Sequence, residues 1–284
     1  HGLDFFLNLG HLFVALFFFY SGFGLFKSLK SKENYLKGFL GKHLTPIIIL
    51  CLLVNCEFYY VGKVFSPYTW YINAIVILYI LFYCSFRFVK NDVASICFVA
   101  LGVLIYSFVC NWLVLGVWWY NTAFLFLIGI LFAKNEEKII LILKSKYLLC
   151  TIISVLIFAT SFAIDILFKS ELSRIFVCKI EAISAFSFVV LVLLASLKIK
   201  FENKVLTFFG SITLELYLIH GLFVQRFGYS FVSDDVEPIF YIKNLALYMI
   251  VVFALSFFVA FLIKLARKGY NYLIVKFNDI YSKI

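Results

Sequence analysis

Nine apolar stretches follow one another along the 284-residue chain, at 9–26, 44–60, 70–86, 93–110, 115–133, 147–168, 180–197, 205–224 and 245–265. A helix rises about 1.5 Å per residue, and a run of roughly 17 to 25 residues crosses the ~30 Å hydrocarbon core of a bilayer. Composition supports lipid as the main solvent, because 64% of the residues are hydrophobic, 14% are charged and the mean hydropathy is +1.05. A soluble globule is about half apolar and about a quarter charged. The 25 Lys and Arg with 15 Asp and Glu are too few to clothe so large an apolar content in water. The 37 Phe and 18 Tyr fit a chain that meets acyl tails and places aromatic rings near headgroups. The fold class is therefore expected to be all-α, a polytopic transmembrane helix bundle with about nine spans. With three Pro and no internal repeat, low-complexity tract or long linker, 1–284 reads as a single integral membrane domain.

Charge gives the orientation. The segments 27–43, 87–92, 134–146, 198–204 and 264 onward hold nineteen basic residues, whereas the alternate segments hold six: Lys63, Lys169, Arg174, Lys179, Arg226 and Lys243. Positive residues near span ends stay in the cytoplasm, so the C-terminus is expected inside and His1 outside. The net charge of +10 thus marks topology and attraction to anionic lipid headgroups, not nucleic acid. The chain opens on His1 immediately before an apolar run. We expect a further helix upstream, giving ten spans with both ends inside.

Seven cysteines, Cys51, Cys56, Cys84, Cys97, Cys110, Cys150 and Cys178, are scattered without a CxxC pair, so no metal centre is expected and a disulfide framework is disfavoured. Polar groups inside the apolar runs carry more information, because an ionisable side chain in hydrocarbon costs a few kcal/mol and faces a partner or a wet cavity. His11, Glu57, Asp165, Glu181, Glu215 and His220 all fall toward the outer half of their spans. A histidine gathered there with carboxylates has the composition of a general base with an orienting acid. Glu57, Asp165 and Glu181 read equally as markers of helix ends. Phe17-Phe18-Phe19-Tyr20-Ser21-Gly22-Phe23-Gly24 runs from bulky rings into small residues, a pattern that lets a neighbouring helix or a ligand approach the backbone.

The pattern G-x-x-x-V-x-x-F-F-x-x-S-G-[FY], met by Gly10, Val14, Phe17, Phe18, Ser21 and Gly22, closely resembles the signature of the acyltransferase 3 family of multispan membrane acyltransferases. The stretch Ile212-Thr213-Leu214-Glu215-Leu216-Tyr217-Leu218-Ile219-His220 is similar to the family's I-S-x-x-I-Y-L-x-H, with Thr213 at the Ser position. Trp119-Tyr120-Asn121 with Gly129 is similar to the middle of some members. The family's first span carries an Arg followed after ten residues by a His proposed to be catalytic. That Arg is absent from this chain, and His1, twenty residues before Ser21, stands near the spacing of that His.

The resemblance implies a membrane O-acyltransferase of a bacterial-type cytoplasmic membrane. It would take an acyl group, generally acetyl, from cytoplasmic acyl-CoA and deliver it to a hydroxyl of a cell-surface glycan or other exported acceptor. The expected catalytic groups are His1 or His11, together with His220. Ser21, Gly22, Phe18, Glu57, Glu215 and Asn121 are expected at the substrate. Lys27 and Lys30, in the basic segment after the Ser-Gly motif, are expected to attract the phosphates of the donor. No metal is expected, and the oligomeric state is open. Two other classes fit the residues: a secondary transporter or exporter of a glycan or lipid precursor, using the outer carboxylates as proton or substrate sites, and a noncatalytic membrane partner in envelope-polymer assembly.

Overall fold

The structure, a computed structural model, describes residues 4–60, 70–169, 171–200, 203–228 and 240–281. Its elements fall into two compact units. Unit 1, His1–Ile47 and Trp70–Lys200, contains α1 (Asp4–Ser31), a π-helical turn (Leu40–Leu44), α3 (Trp70–Phe88), α4 (Asp92–Trp112), a 3-10 turn (Val117–Trp119), α5 (Phe124–Lys134), α6 (Glu136–Ser145), α7 (Tyr147–Phe168) and α8 (Arg174–Lys198). Unit 2, Ile48–Thr69 and Phe201–Ile284, contains most of α2 (Thr45–Tyr60), then α9 (Lys204–Gly210), α10 (Thr213–Arg226) and α11 (Leu245–Tyr281), with a short β1–β2 pairing of Phe227–Gly228 and Phe240–Tyr241.

Every apolar run read from the sequence contains helix, although 115–133 is α-helical only in its second half, as α5, after the 3-10 turn Val117–Trp119 and the turn residues that follow it. Among the described residues, seven helical stretches are long and apolar enough to cross a membrane, and an eighth is counted if α9 and α10, bent by 66°, form one span. The remaining expected span corresponds to α2, which has 16 described residues. The bend follows from local chemistry at Gly210-Ser211-Ile212. Glycine weakens the helix there, and the Thr213 hydroxyl donates back to the Phe209 carbonyl at 2.8 Å, a bond that competes with the helical ladder. The segment 134–146, read as a loop, folds instead as α6. Its ten residues carry Glu136 and Glu137 in the first turn and Lys144 in the last, charges that complement the helix dipole.

Burial in unit 1 reflects lipid as the outer solvent. Along α7 the buried residues are Ser154, Ser161 and Asp165, while Leu148, Leu149, Val155, Leu156 and Leu167 are exposed. Helix α8 buries Glu181, Ser184 and Ser187, spaced three apart on one face, together with Val177, Ala185, Val189 and Leu194, and packs against α7 and α1. Apolar faces meet acyl chains, and small or polar faces meet other helices.

The tightest packing is between α1 and α5. A Cβ placed on Gly22 would lie 2.0 Å from the Phe126 carbonyl oxygen, and one on Gly129 would lie 2.0 Å from the Phe19 carbonyl oxygen. Each helix therefore presses its backbone into the other's glycine. Phe19 and Phe132 close the contact edge to face, with ring centroids 5.5 Å apart. Gly24 and Gly10, on the same helix, have nothing within 4 Å of such a Cβ. Gly22→Ala or Gly129→Ala should therefore destabilise by about 1–3 kcal/mol, as overpacking does. Gly10→Ala should be neutral or slightly stabilising. Thermal unfolding midpoints in one detergent will check the ranking, and equal midpoints for Gly22→Ala and Gly10→Ala would contradict the crossing.

Candidate functional site

Unit 1 has two polar ends joined by α1. At one end Lys27 pairs with Glu136 of α6, and Lys30 pairs with Asp92 at the start of α4. Their ammonium groups also lie over the rings of Phe23 and Phe26, at 5.9 and 5.5 Å from the centroids. Asn91 caps α4 beside Asp92, accepting from the Val93 and Ala94 amides at 2.8 and 3.3 Å. A cleft of about 170 Å³ opens next to Glu136, lined by Phe19, Tyr20, Phe23, Phe132, Leu193 and Leu197.

At the other end, α1, α5, α7 and α8 and the residues just before α5 gather a polar cluster around Glu181. Glu181 is 5% exposed, and its carboxylate accepts from Lys169 Nζ at 2.6 Å and from Asn121 Nδ2 at 2.7 Å. Asp165, one turn before Lys169 on the chain, is 1% exposed, with Oδ1 3.6 Å from Lys169 Nζ. Burial works to lower the Lys169 ammonium, but the hydrogen bond and charge of Glu181 and the charge of Asp165 outweigh it and hold the group above its ordinary value. Arg174 donates to the Leu115 carbonyl and packs over the Tyr120 ring, whose hydroxyl donates to Asn111 Oδ1 at 3.1 Å. The loop before α5 is thereby tied to the start of α8.

His11 joins this cluster. Its Nε2 lies 3.1 Å from Ser184 Oγ, and the Ser184 hydroxyl donates to the Glu181 carbonyl at 3.0 Å. A hydroxyl has one proton to give, so Ser184 accepts from Nε2–H and the neutral ring carries its lone pair on Nδ1.

Unit 2 carries the second histidine. The His220 Nδ1–H donates to the Tyr217 carbonyl, which leaves the lone pair of the neutral ring on Nε2, and the Tyr217 ring lies 5.5 Å away. Glu215, 2% exposed, sits in the first turn of α10, where the partial positive charge of the helix N-terminus favours a carboxylate.

The structure brings His11 and Asn121 of the expected residues into one cluster, linked through Ser184 and Glu181. Lys27 and Lys30 stand together at the opposite end of α1, each already paired with a carboxylate. Gly22 is spent on helix packing, Ser21 lies beside the Tyr79 hydroxyl, and Phe18 is fully buried against Tyr71, with ring centroids 5.2 Å apart. His1 and the side chain of Glu57 lie outside the described residues. Sequence reasoning did not single out Lys169, Ser184 or Thr122. The signal for the first two was the helical spacing Asp165/Lys169 at the end of one apolar run and Glu181/Ser184/Ser187 inside the next. Among the described residues no three His, Cys, Asp or Glu side chains converge as a metal site requires.

Removing Glu181 strands the Asn121 amide and takes the hydrogen-bond acceptor from Lys169, which keeps only its ion pair with Asp165 at 3.6 Å. Glu181→Ala should cost about 2–3 kcal/mol, below the roughly 3–5 kcal/mol of a fully buried pair because Lys169 is half exposed. Glu181→Gln, which retains an acceptor for Asn121, should cost less. Chemical unfolding of the purified variants measures both, and equal stability of Glu181→Ala and the parent would contradict the network.

A family model described as an acyltransferase domain matches residues 1–265, which run through both units. No curated protein and no solved structure matches the chain. The matched stretch is nearly the whole chain and contains both histidine-bearing motifs, α1 with His11 and α10 with His220. This helical membrane protein belongs to the acyltransferase 3 family, and it is an acyltransferase.

Proposed function

We propose that the protein moves an acyl group, acetyl in the first instance, from cytoplasmic acyl-CoA to a hydroxyl of a cell-surface glycan or other exported acceptor, across a bacterial-type cytoplasmic membrane with the C-terminus inside. The observation that carries this reading is the layout of α1. His11 and Lys27 are sixteen residues apart on one helix, a rise of about 24 Å, which supports a reading in which the basic end and the histidine end face opposite membrane surfaces. The basic end is the cytoplasmic one by the distribution of Lys and Arg. Lys27 and Lys30 would exchange their carboxylate partners for donor phosphates, and the adjoining apolar cleft has the character to take the acyl-bearing arm of the donor.

In the reaction the imidazole lone pair takes the proton of the acceptor hydroxyl as its oxygen attacks the thioester carbonyl. The C–S bond then breaks, the acyl group stays on the acceptor oxygen, and the leaving thiolate recovers the proton from the imidazolium. No net proton is gained or lost. Ser184 holds the His11 ring and its tautomer, and Glu181 fixes Asn121 at the same end.

The test is to trap radiolabelled acetyl-CoA inside vesicles that contain the full-length protein and offer a panel of surface glycans outside. Label on an acceptor is the expected result, and no transfer from a well-folded protein to any of them would overturn the reading. Removing a general base lowers rate by about 10²–10⁴-fold, so His11→Ala and His220→Ala should each reduce transfer by that order. Unchanged transfer by either variant removes that residue from the chemistry.

A further inference from the structure

We infer that the cleft between α1, α5, α6 and α8 binds one chain of a phosphatidylethanolamine molecule from the adjoining leaflet, with the lipid phosphate on Lys27 and its ammonium on Glu136. The cleft holds about 170 Å³. An apolar cavity of about 150 Å³ takes one benzene molecule, so there is room for about six carbon atoms, a segment of a single acyl chain. The deep end is apolar and closed. Phe19 is 1% and Phe132 8% exposed, and the Phe132 ring meets those of Phe19 and Phe23 with centroids 5.5 and 5.9 Å apart. Glu136, Ile140 and Leu143 fall on one face of α6, which therefore supplies an aliphatic wall and a carboxylate together. Tyr20 and Ser196, also in the lining, are exposed, so a ligand can enter from outside the bundle.

The rim of the cleft lies at headgroup level. The apolar spans of α1, α5 and α8 end at Ser31, Lys134 and Lys198, each within about one helical turn of Lys27, Glu136 and Leu197 respectively. Among the described residues Glu136 is the charged group of the lining, and Lys27 pairs with it while the same ammonium lies 5.9 Å from the Phe23 centroid. Both charges therefore stand at the cleft. The side chains are 51% exposed for Lys27 and 27% for Glu136, so a third group can reach the remaining donors of the ammonium and the remaining lone pairs of the carboxylate. A positive and a negative charge side by side select a ligand that carries both. An anionic headgroup would meet Lys27 but be repelled by Glu136. Phosphatidylcholine carries both charges, yet its quaternary nitrogen has no N–H to give. Phosphatidylethanolamine offers phosphate oxygens that accept from Lys27 and an ammonium that donates to Glu136. Binding of this lipid does not rest on the transfer reading. Its consequence does: where the cleft also takes the arm of the acyl donor, lipid and donor exclude each other.

The experiment titrates the full-length protein in detergent with dioleoyl phosphatidylethanolamine, phosphatidylcholine and phosphatidylglycerol, which share their chains, and counts bound lipid by native mass spectrometry. Phosphatidylethanolamine should bind roughly three- to fivefold more tightly than either of the others, the scale of a half-exposed ion pair. Glu136→Gln should bring it down to the level of phosphatidylcholine. Leu193→Trp, which fills the cleft and keeps both rim charges, should weaken phosphatidylethanolamine by a similar factor and serves if Glu136→Gln does not fold. Equal affinity for the three lipids, tighter binding of phosphatidylglycerol, or phosphatidylethanolamine binding unchanged in either variant would overturn the site. Acetyl-CoA added to the lipid-bound protein should displace the lipid. Retention of phosphatidylethanolamine at saturating donor would take the cleft out of the transfer reading and leave the lipid site standing. Acyl transfer by a protein with no lipid preference would do the reverse.

Discussion

Side chains at residues 22 and 129 would hold α1 and α5 apart by the width of a Cβ, and everything unit 1 assembles at either end depends on their backbones touching. In water such a contact would compete with burial of larger apolar groups, but between helices in lipid the hydrophobic term is nearly absent and close van der Waals fit takes its place. Once the backbones meet at Gly22 and Gly129, α1 is fixed against the shorter α5 over the middle of its length. Its far residues then have set partners: Lys27 and Lys30 at one end, His11 at the other.

The same solvent explains why polar groups sit inside. Along α7 the buried residues are Ser154, Ser161 and Asp165 and the aliphatic face points outward, while α8 buries Glu181, Ser184 and Ser187 together with Val177, Ala185, Val189 and Leu194. The ion pair of Glu181 and Lys169 is a modest source of stability, since desolvation opposes the Coulomb attraction. Its structural effect is positional. It fixes which way the Asn121 amide points and, through the adjoining turn of α8, where Ser184 meets His11.

The helices were legible in the sequence because length and hydropathy act locally, and every apolar run holds helix, the run 115–133 only in its second half. Helix α6 escaped because ten residues with charged ends resemble a loop when only membrane-length runs are sought. The break between α9 and α10 was written at Gly210-Ser211 but hidden within one continuous apolar run. The cluster was only half legible. Asp165, Glu181 and His11 each stood out as polar groups in apolar surroundings, and Asn121 through the likeness of Trp119-Tyr120-Asn121 to the family. Their meeting joins positions 60 and 173 apart in the chain, and nothing local specifies those pairings. Ser21-Gly22 was read both as packing and as part of a substrate site, and the packing role is the one with visible geometry.

The central claim is that the two ends of unit 1 face opposite sides of the membrane, Lys27 inside and Glu181 outside. The direct measurement is labelling of single cysteines by a membrane-impermeant maleimide in intact cells, after the seven native cysteines are replaced. Ser173→Cys, at the exposed start of α8, should label without lysis, and Ser31→Cys, at the end of α1, only after it. Labelling of both residues from the same side, or the reverse order, would contradict the account.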